Sequence, residues 1–531
     1  MAVDRSKVSV VRGRGGSAAS LRDAFDATDG EYVYVIDGDI AGNEAKLGEF
    51  VARMDETGAD IVIGTKRSRR LLNRIYFSLV RAFLGLPISD TQTGARLYRR
   101  KTLAYALDRA LSKTGAFDLE LLTIAAGSGA KIAEVAMPEQ ADAVEALGGK
   151  PTRGFIKAVA NDTLAIFYRA RILGYYSKCL VPKPLGREPL VSIVVACPKR
   201  SWMLDECLAA IEAQTYGRWE AIVLPDGDEG VASTGKVRWI PTGKVRPAEK
   251  RNIGIKEAKG EIVAFIDDDA YPDRRWLEYA VKYFGEDSIG AVGGPGVTPP
   301  GDGLLSKAGG RVYDNRFVSG NYRYRYRAGG VRMDVEDYPS CNLFVRRDLL
   351  GKIGGYRTDF WPGEDTLLCK DILDSWKRII YDPWVVVYHH RRALFAPHLR
   401  QLGRYGFHRG YFCKRFPSNS LRLSYFLPSL FVAYCAAWAV LAMLPDPDVM
   451  PVWLHLAKHA FLSAPMILYV ALVFLSSFSR NPAMWLLTAA GVVASHFTYG
   501  VQFMRGLVAS RAPCEFIGGD HARGGSCAQT A

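Results

Sequence analysis

The sequence predicts an α/β protein in which one sheet pattern occurs twice, followed by helices able to cross a membrane. Three observations carry this reading. Residues 30–39 align without gaps on residues 260–269, and each copy is a Gly turn, a continuous apolar run and an Asp-x-Asp ending. Such a run reads as a strand buried on both faces of a parallel sheet, and the helical patterns that flank both copies give the alternation of an α/β fold. From residue 423 onward, three apolar runs succeed one another across short polar turns.

Composition sets the outer limits. Of 531 residues, 49% are hydrophobic and 23% charged, so most of the chain has enough apolar surface to offset its conformational entropy. The net charge is +14, which suits nucleic acid, anionic lipid or phosphorylated small molecules. Its distribution argues against nucleic acid. Arg and Lys gather in residues 153–178 and 391–422, and neither a compact basic helix nor an aromatic RNA-binding signature is present. The nine cysteines are spread singly without a CxxC pair. That pattern speaks against a disulfide framework or structural zinc and for a reducing compartment. No apolar signal-peptide core opens the chain.

Residues 1–150 form the first module, with Asp37 and Asp39 closing its apolar run. Only 36 residues precede Asp37, whereas the second copy has a clear strand at 191–196, about 75 residues before Asp267. The first module is therefore expected to lack roughly its first half, through a start-site truncation or a lost function. Residues 151–188 read as an amphipathic helical linker, either an interfacial membrane helix or an ordinary packing helix. Residues 189–400 form the complete second module, 401–422 a basic interfacial segment, 423–509 the transmembrane helices and 510–531 a tail. The expected spans are 423–444, 461–478 after a lead-in holding His455, Lys458 and His459, and 484–508. Basic residues before the first span and acid in the turn after it predict a multi-pass protein of the cell membrane with its large N-terminal part in the cytoplasm.

The chemistry gathers in the second module. Asp267, Asp268 and Asp269 end a strand, and the carboxyl ends of strands are where open α/β sheets bind ligands. Two carboxylates two residues apart at such an end can approach one Mg²⁺ or Mn²⁺, which can hold a diphosphate. A bare Asp-x-Asp is otherwise a solvated turn. Around it stand a strand at 191–196, a helix at 204–214, a second strand ending in Asp226, and then Lys250, Arg251 and Asn252. Further on come Ser340, Asn342, Gly354, Gly355 and Tyr356, followed by Glu364 and Asp365. An attacking hydroxyl needs a base, and a carboxylate after a Gly turn can serve; both acids equally suit the first turn of a helix at 366–376. His389 and His390 end another apolar strand, as metal ligands, diphosphate donors or structural residues. Gln401, Arg404 and Tyr405 lie before the first span.

This ordered set resembles glycosyltransferase family 2, whose members have a GT-A, Rossmann-like fold, over residues 189 to about 415. The resemblance implies that Asp226 hydrogen-bonds the nucleotide base, although Pro225 stands where the family usually has a second Asp. It places Lys250, Arg251, Asn252, Asp267 and Asp268 beside the nucleotide sugar and makes Asp365 the general base oriented by Glu364; Asp267 and Asp269 are the expected metal ligands, with His389 a further candidate. Gln401 to Tyr405 resembles the QxxRW motif of membrane polysaccharide synthases, with Tyr for Trp, which puts Gln401 and Arg404 at the diphosphate.

The first module is similar to the later half of a dolichyl-phosphate sugar synthase domain over residues 12–143. The matching residues include Asp37, Asp39, Arg67, Asp90, Thr93, Gly94, Arg96 and Pro138. In that branch the acceptor is a lipid phosphate, already ionised, so no carboxylate base is needed. Positive charge is needed, and Arg67 and Arg96 are its candidates.

Together these readings imply a membrane-anchored, Mg²⁺- or Mn²⁺-dependent, inverting glycosyltransferase. It would move a sugar from a nucleotide-diphosphate sugar to a lipid-linked glycan or polysaccharide, against membrane lipid and without nucleic acid. The alternative is a degenerate scaffold or glycan-binding membrane protein. A nucleotidyltransferase is disfavoured, because residues 197–201 are not the Gly-rich phosphate loop that class requires.

Overall fold

In the computed structural model, residues 5–13, 18–37, 46–65, 78, 80–86, 95–112, 116–137, 153–178, 185–231, 233–443 and 451–510 are described. The chain divides into two compact units, Met1–Val181 and Pro182–Ala531.

The first unit holds β1 (Val8–Gly13), α1 (Ala18–Asp26), β2 (Tyr32–Asp37), α2 (Leu47–Thr57), β3 (Ile61–Thr65), β4 (Ala95–Arg99), α3 (Arg100–Arg109), α4 (Phe117–Gly127), β5 (Ile132–Ala136) and α5 (Arg153–Phe167). Its sheet order is β1-β2-β4-β3-β5, with β4 antiparallel to both neighbours and the other pairings parallel. The apolar runs are buried as their continuous hydrophobicity requires: Tyr34, Val62 and Leu97 are fully enclosed, with Phe50 and Met54 of α2 laid over them. α5 runs on into a π-helical turn, Tyr168–Ile172. One side of this segment packs inward through Ile166 and an Arg169–Glu120 ion pair of 2.8 Å. The other leaves Leu164, Tyr168 and Ile172 exposed.

In the second unit the strands are β6 (Val191–Ala196), β7 (Trp219–Leu224), β8 (Val237–Trp239), β9 (Ile262–Asp267), β10 (Ala270–Pro272), β11 (Ile289–Gly293), β12 (Gly296–Val297), β13 (Met333–Val335), β14 (Asn342–Arg346), β15 (Arg378–Tyr381) and β16 (Val387–His389). Eight of them form a sheet ordered β13-β15-β11-β14-β9-β6-β7-β8, and β10-β16-β12 form a small second sheet. Helices α6 (Trp202–Glu212), α7 (Pro247–Glu257), α8 (Leu304–Tyr313) and α9 (Glu364–Asp374) accompany them. Strands β6 to β9 are parallel to their partners, while β14 runs antiparallel between β9 and β11. The run β9-β14-β11-β15 thus repeats β2-β4-β3-β5 in order and direction. This is the expected α/β architecture, a GT-A sheet preceded by a partial copy of the same fold. The sequence reading missed β1, which stands beside β2 where β6 stands beside β9. Arg12 and Gly13 interrupt its short apolar stretch, so the period-based signal is weak.

Beyond the sheet come α10 (Ala396–Arg415), α11 (Leu423–Met443), α12 (Val452–Ser477) and α13 (Pro482–Val508). The last three are long and apolar enough to cross a membrane. The polar lead-in at 455–459 belongs to α12 itself, one continuous helix from Val452.

Candidate active site

Register sets the site. Ala196 of β6 pairs with Leu224 of β7 on one side and Asp267 of β9 on the other, so three parallel strands end level. Asn342 of antiparallel β14 pairs with Ile266, which brings the start of β14 to the same edge. Asp226, Asp267 and Ser340 therefore share one rim, the position where such sheets bind ligands.

Arg251 of α7 occupies the middle of that rim, with 9% of its side chain exposed. Its Nη2 donates to Asp267 Oδ1 at 2.9 Å and its Nη1 to Glu364 Oε1 at 3.2 Å, with Asp365 Oδ1 3.8 Å away. The guanidinium also lies over the Tyr356 ring, 5.5 Å from its centroid. Glu364 and Asp365 open α9 after Gly363. Gly363 has φ 128°, and a Cβ there would meet Phe412 Cζ at 2.6 Å, so no side chain fits. Glu364 Oε2 accepts from the Gly363 amide, and Ser340 Oγ donates to Asp365 Oδ1. Ser340 has spent its proton there, so the Tyr356 hydroxyl, 2.6 Å away, donates to Ser340 Oγ.

Burial, with the Asp365 charge beside it, pushes the Glu364 carboxyl up to about 7. Burial also raises Asp365, against the pull of Arg251 and Ser340. The two act as a coupled pair.

The Asp-x-Asp turn meets the small sheet. Ala270 pairs with His389, which sets His389 Nε2 3.0 Å from Asp269 Oδ1. Ligand atoms of Asp267, Asp269 and His389 all lie within 4.8 Å of one another. Two carboxylates and an imidazole fit Mg²⁺ or Mn²⁺. Arg391 Nη1 faces His389 Nδ1 at 3.1 Å. An arginine can only donate, so Nδ1 is the acceptor and Nε2 carries the proton shared with Asp269. A cation takes that proton's place on Nε2 only if Arg391 releases Nδ1. Burial, followed by the Asp269 and Asp267 charges, pushes Asp268 up to about 7. Burial also raises Asp269, but His389, Arg392 and Arg391 outweigh it and hold that carboxyl below its ordinary value.

The remaining expected residues divide into braces and a cationic wall. Lys250 Nζ donates to the Cys197 and Leu224 carbonyls at 2.6 and 3.0 Å and to Asp226 Oδ1 at 2.5 Å. All three of its protons are used, tying β6 to β7 and aiming Asp226. Asn252 holds the Tyr356 backbone from both sides, donating to its carbonyl and accepting from its amide, each at 2.8 Å. The Lys250 side chain therefore presents no free donor to a nucleotide. His390 is clamped between Asp302 Oδ1 at 2.6 Å and Glu206 Oε2 at 2.8 Å, which makes it a structural cation, not a ligand. Gln401 Oε1 accepts from the Tyr313 hydroxyl at 3.4 Å, and its Nε2 donates to Tyr405 at 3.2 Å. Arg404 lies 5.7 Å from the Trp361 ring centroid, and its Nε has no hydrogen-bond partner. Burial and the Arg392 and Arg400 charges lower its proton affinity. Arg391, over the Tyr313 and Tyr326 rings, extends this wall. It was not singled out from the sequence, although its place two residues after His389 is a signal.

In the first unit, Asp39 and Arg67 lie outside the described residues, as does the side chain of Asp37. Arg96 corrects the expectation of an open phosphate-binding guanidinium. It is 2% exposed in β4 and lies 3.0 Å from Asp118 of α4.

Residues 3–107 and 192–354, about half of the chain, match the family model of glycosyl transferase family 2. Among curated proteins, the glycosyltransferase AglE of Haloferax volcanii is 26% identical over 200 residues, which are 35% of this chain and 62% of that protein. The pre-mycofactocin glycosyltransferase of Mycobacterium tuberculosis is 26% identical over 160 residues, 30% of this chain and 33% of that protein. The chain thus spans less than two thirds of the length of these relatives. Among solved structures, the mannosyltransferase PcManGT from Pyrobaculum calidifontis, in complex with GDP-Man and Mn²⁺, superposes with a TM-score of 0.40 at 20% identity, over 64% of this chain and 95% of that one.

Arg251→Met leaves Asp267, Glu364 and Asp365 without their shared cation. Removing one partner of a buried ion pair costs about 3 kcal/mol. The loss of Arg251 raises the folded-state proton affinity of Glu364 and Asp365 further. A carboxyl raised in the fold penalises folding above its unfolded pKa, and the penalty fades as pH falls toward that value. Thermal unfolding of the variant in detergent should therefore show a large deficit at pH 8 and a smaller one at pH 5. Equal deficits at both pH values would contradict the charge assignment.

Proposed function

The chain belongs to glycosyl transferase family 2, and from that premise we propose that its second unit transfers a sugar from a nucleotide-diphosphate sugar to an acceptor hydroxyl, with inversion, using Mg²⁺ or Mn²⁺. The observation that carries this reading is the joining of Asp267 to Glu364 and Asp365 through Arg251 on the rim that also bears Asp269 and His389. Asp267 and Asp269, with His389, would hold the cation, which when bound neutralises the diphosphate. Asp226, aimed by Lys250, lies level with them, where a nucleoside can be met. Arg404, and Arg391 once it has released His389, supply positive charge for the departing diphosphate.

Asp365 takes the proton from the attacking hydroxyl. Ser340 holds one of its oxygens, and burial keeps its proton affinity above the ordinary carboxylate range. The acceptor in this reading is a lipid-linked glycan or a polysaccharide, because the helices that follow the site hold it at a membrane. The catalytic unit faces the cytoplasm, where nucleotide sugars are made.

Asp365→Asn removes the base but not the cation site. Sugar transfer by the purified variant should fall by about 10²–10⁴ in kcat, with the donor KM little changed. Turnover like that of the wild type would remove the assignment. In the wild type, kcat/KM should rise with pH above the ordinary carboxylate range, because burial raises both Glu364 and Asp365. Glu364→Gln deletes the neighbouring negative charge, lowers Asp365 and moves this acid limb to lower pH. A limb that stays in place assigns the titration to another group.

A further inference from the structure

Hydropathy groups α11, α12 and α13 together as membrane spans, but their burial separates them. The apolar windows of α11 and α12 are 6% and 11% buried, whereas that of α13 is 39% buried. α11 starts against the catalytic sheet's unit, where the Tyr425 hydroxyl donates to Tyr322 at 3.3 Å. α12 ends against the same unit. Asn315 Nδ2 donates to Ser476 Oγ at 3.1 Å, and Arg311 Nη2 donates to the Phe478 carbonyl at 2.9 Å. These two helices leave and return as a hairpin.

α13 does not leave. Gly491 packs on Val312 of α8 and on Leu394, and His496 Nε2 lies 2.8 Å from the Phe317 carbonyl. From there α13 runs beside α10 in the same direction. Ser495 meets His398 at 3.3 Å, Gly506 presses on the Phe407 carbonyl so closely that a Cβ would clash, and Lys414 donates to the Ala509 carbonyl at 2.6 Å. Residues 489–509 at 1.5 Å rise cover about 30 Å, the whole hydrocarbon thickness of a bilayer. Along that length the other side of α10 touches the catalytic unit: Arg404 lies over Trp361, Arg409 donates to Asp337 at 2.6 Å and Phe412 abuts Gly363. Were α13 to cross the membrane, these arginines and the turn before Glu364 would sit at hydrocarbon depth, where charged groups are expelled.

We propose that α13 is not a membrane span. It lies on the catalytic unit in the plane of the membrane surface, and the α11–α12 hairpin alone crosses the bilayer. The exposed apolar residues of α13 support this. Leu486, Phe497, Val501 and Val508 are 56%, 38%, 40% and 82% exposed. At about 100° per residue they fall within one arc of about 60°, opposite the face that packs on α8 and α10. That single stripe suits the boundary between headgroups and acyl chains. The C-terminal tail then emerges on the same side as the catalytic unit. Three spans would place it on the other side.

The test is protease protection in sealed membrane vesicles whose catalytic unit faces outward. The full-length chain carries one epitope tag after Ala531 and another between Met443 and Val452. Added protease should remove the C-terminal tag together with the catalytic unit and spare the inner tag until detergent is added. A C-terminal tag protected while the catalytic unit is cut would overturn the proposal, and an inner tag cut without detergent would overturn the hairpin. The untagged chain gives an independent reading through Cys514 and Cys527 near its C-terminus. A membrane-impermeant maleimide added to the same vesicles should label them. Labelling only after the vesicles are opened would refute the assignment.

Discussion

The second unit is organised around one buried cation. Arg251 holds Asp267 from the end of β9 and Glu364 from the start of α9, residues nearly a hundred positions apart in sequence. A guanidinium keeps its proton under all ordinary conditions and offers donors in a fixed fork, so it can set the spacing of several carboxylates at once. It does not neutralise them all. Asp267, Asp268, Asp269, Glu364 and Asp365 share this rim, where burial and neighbouring carboxylates raise the proton affinities of Asp268 and Glu364. A rim that its arginines leave partly acidic favours an exchangeable cation, which is the property a diphosphate leaving group requires.

The residues around Arg251 are mostly supports. Lys250 and Asn252 bond to backbone carbonyls, Lys250 also to Asp226, and Tyr356 donates to Ser340, which donates to Asp365. Each fixes a group that chemistry would use: Lys250 aims Asp226, Asn252 holds the turn carrying Tyr356, and Ser340 orients Asp365. Preorganisation of this kind lets a site act without rearranging at the moment of reaction. The cationic wall of Arg391 and Arg404 comes from the segment that leads to the membrane. α10 therefore serves two purposes, closing one side of the site and fastening it to the helices behind.

Much of this was legible in sequence, for physical reasons. Strands β6 and β9 are buried on both faces, so they read as continuous apolar runs, and the acids that follow them fall at strand ends by construction. Period and burial say nothing about partners, and there the reading fell short. Arg96 looked like an open anion donor because a sequence does not show that Asp118 waits beneath it. Lys250 sits at a position that the family resemblance placed beside the nucleotide, but its donors are consumed locally. Window hydropathy scores α13 with α11 and α12, and α13 is long and apolar enough to cross a membrane, but the scale does not show that one face of it meets α10. The glycines at 406, 410 and 506 were the missed signal, since they permit the close approach of those two helices.

The measurement closest to the central claim is Mn²⁺ electron paramagnetic resonance on the full-length protein in detergent, with a nucleoside diphosphate present. If Asp267 and Asp269 grip a cation that Arg251 keeps apart from the base, the wild type and Asp365→Asn should both immobilise one Mn²⁺ per chain, and Asp269→Asn should leave the ion free in solution. Tight Mn²⁺ retained by Asp269→Asn, or lost in Asp365→Asn, would contradict the account.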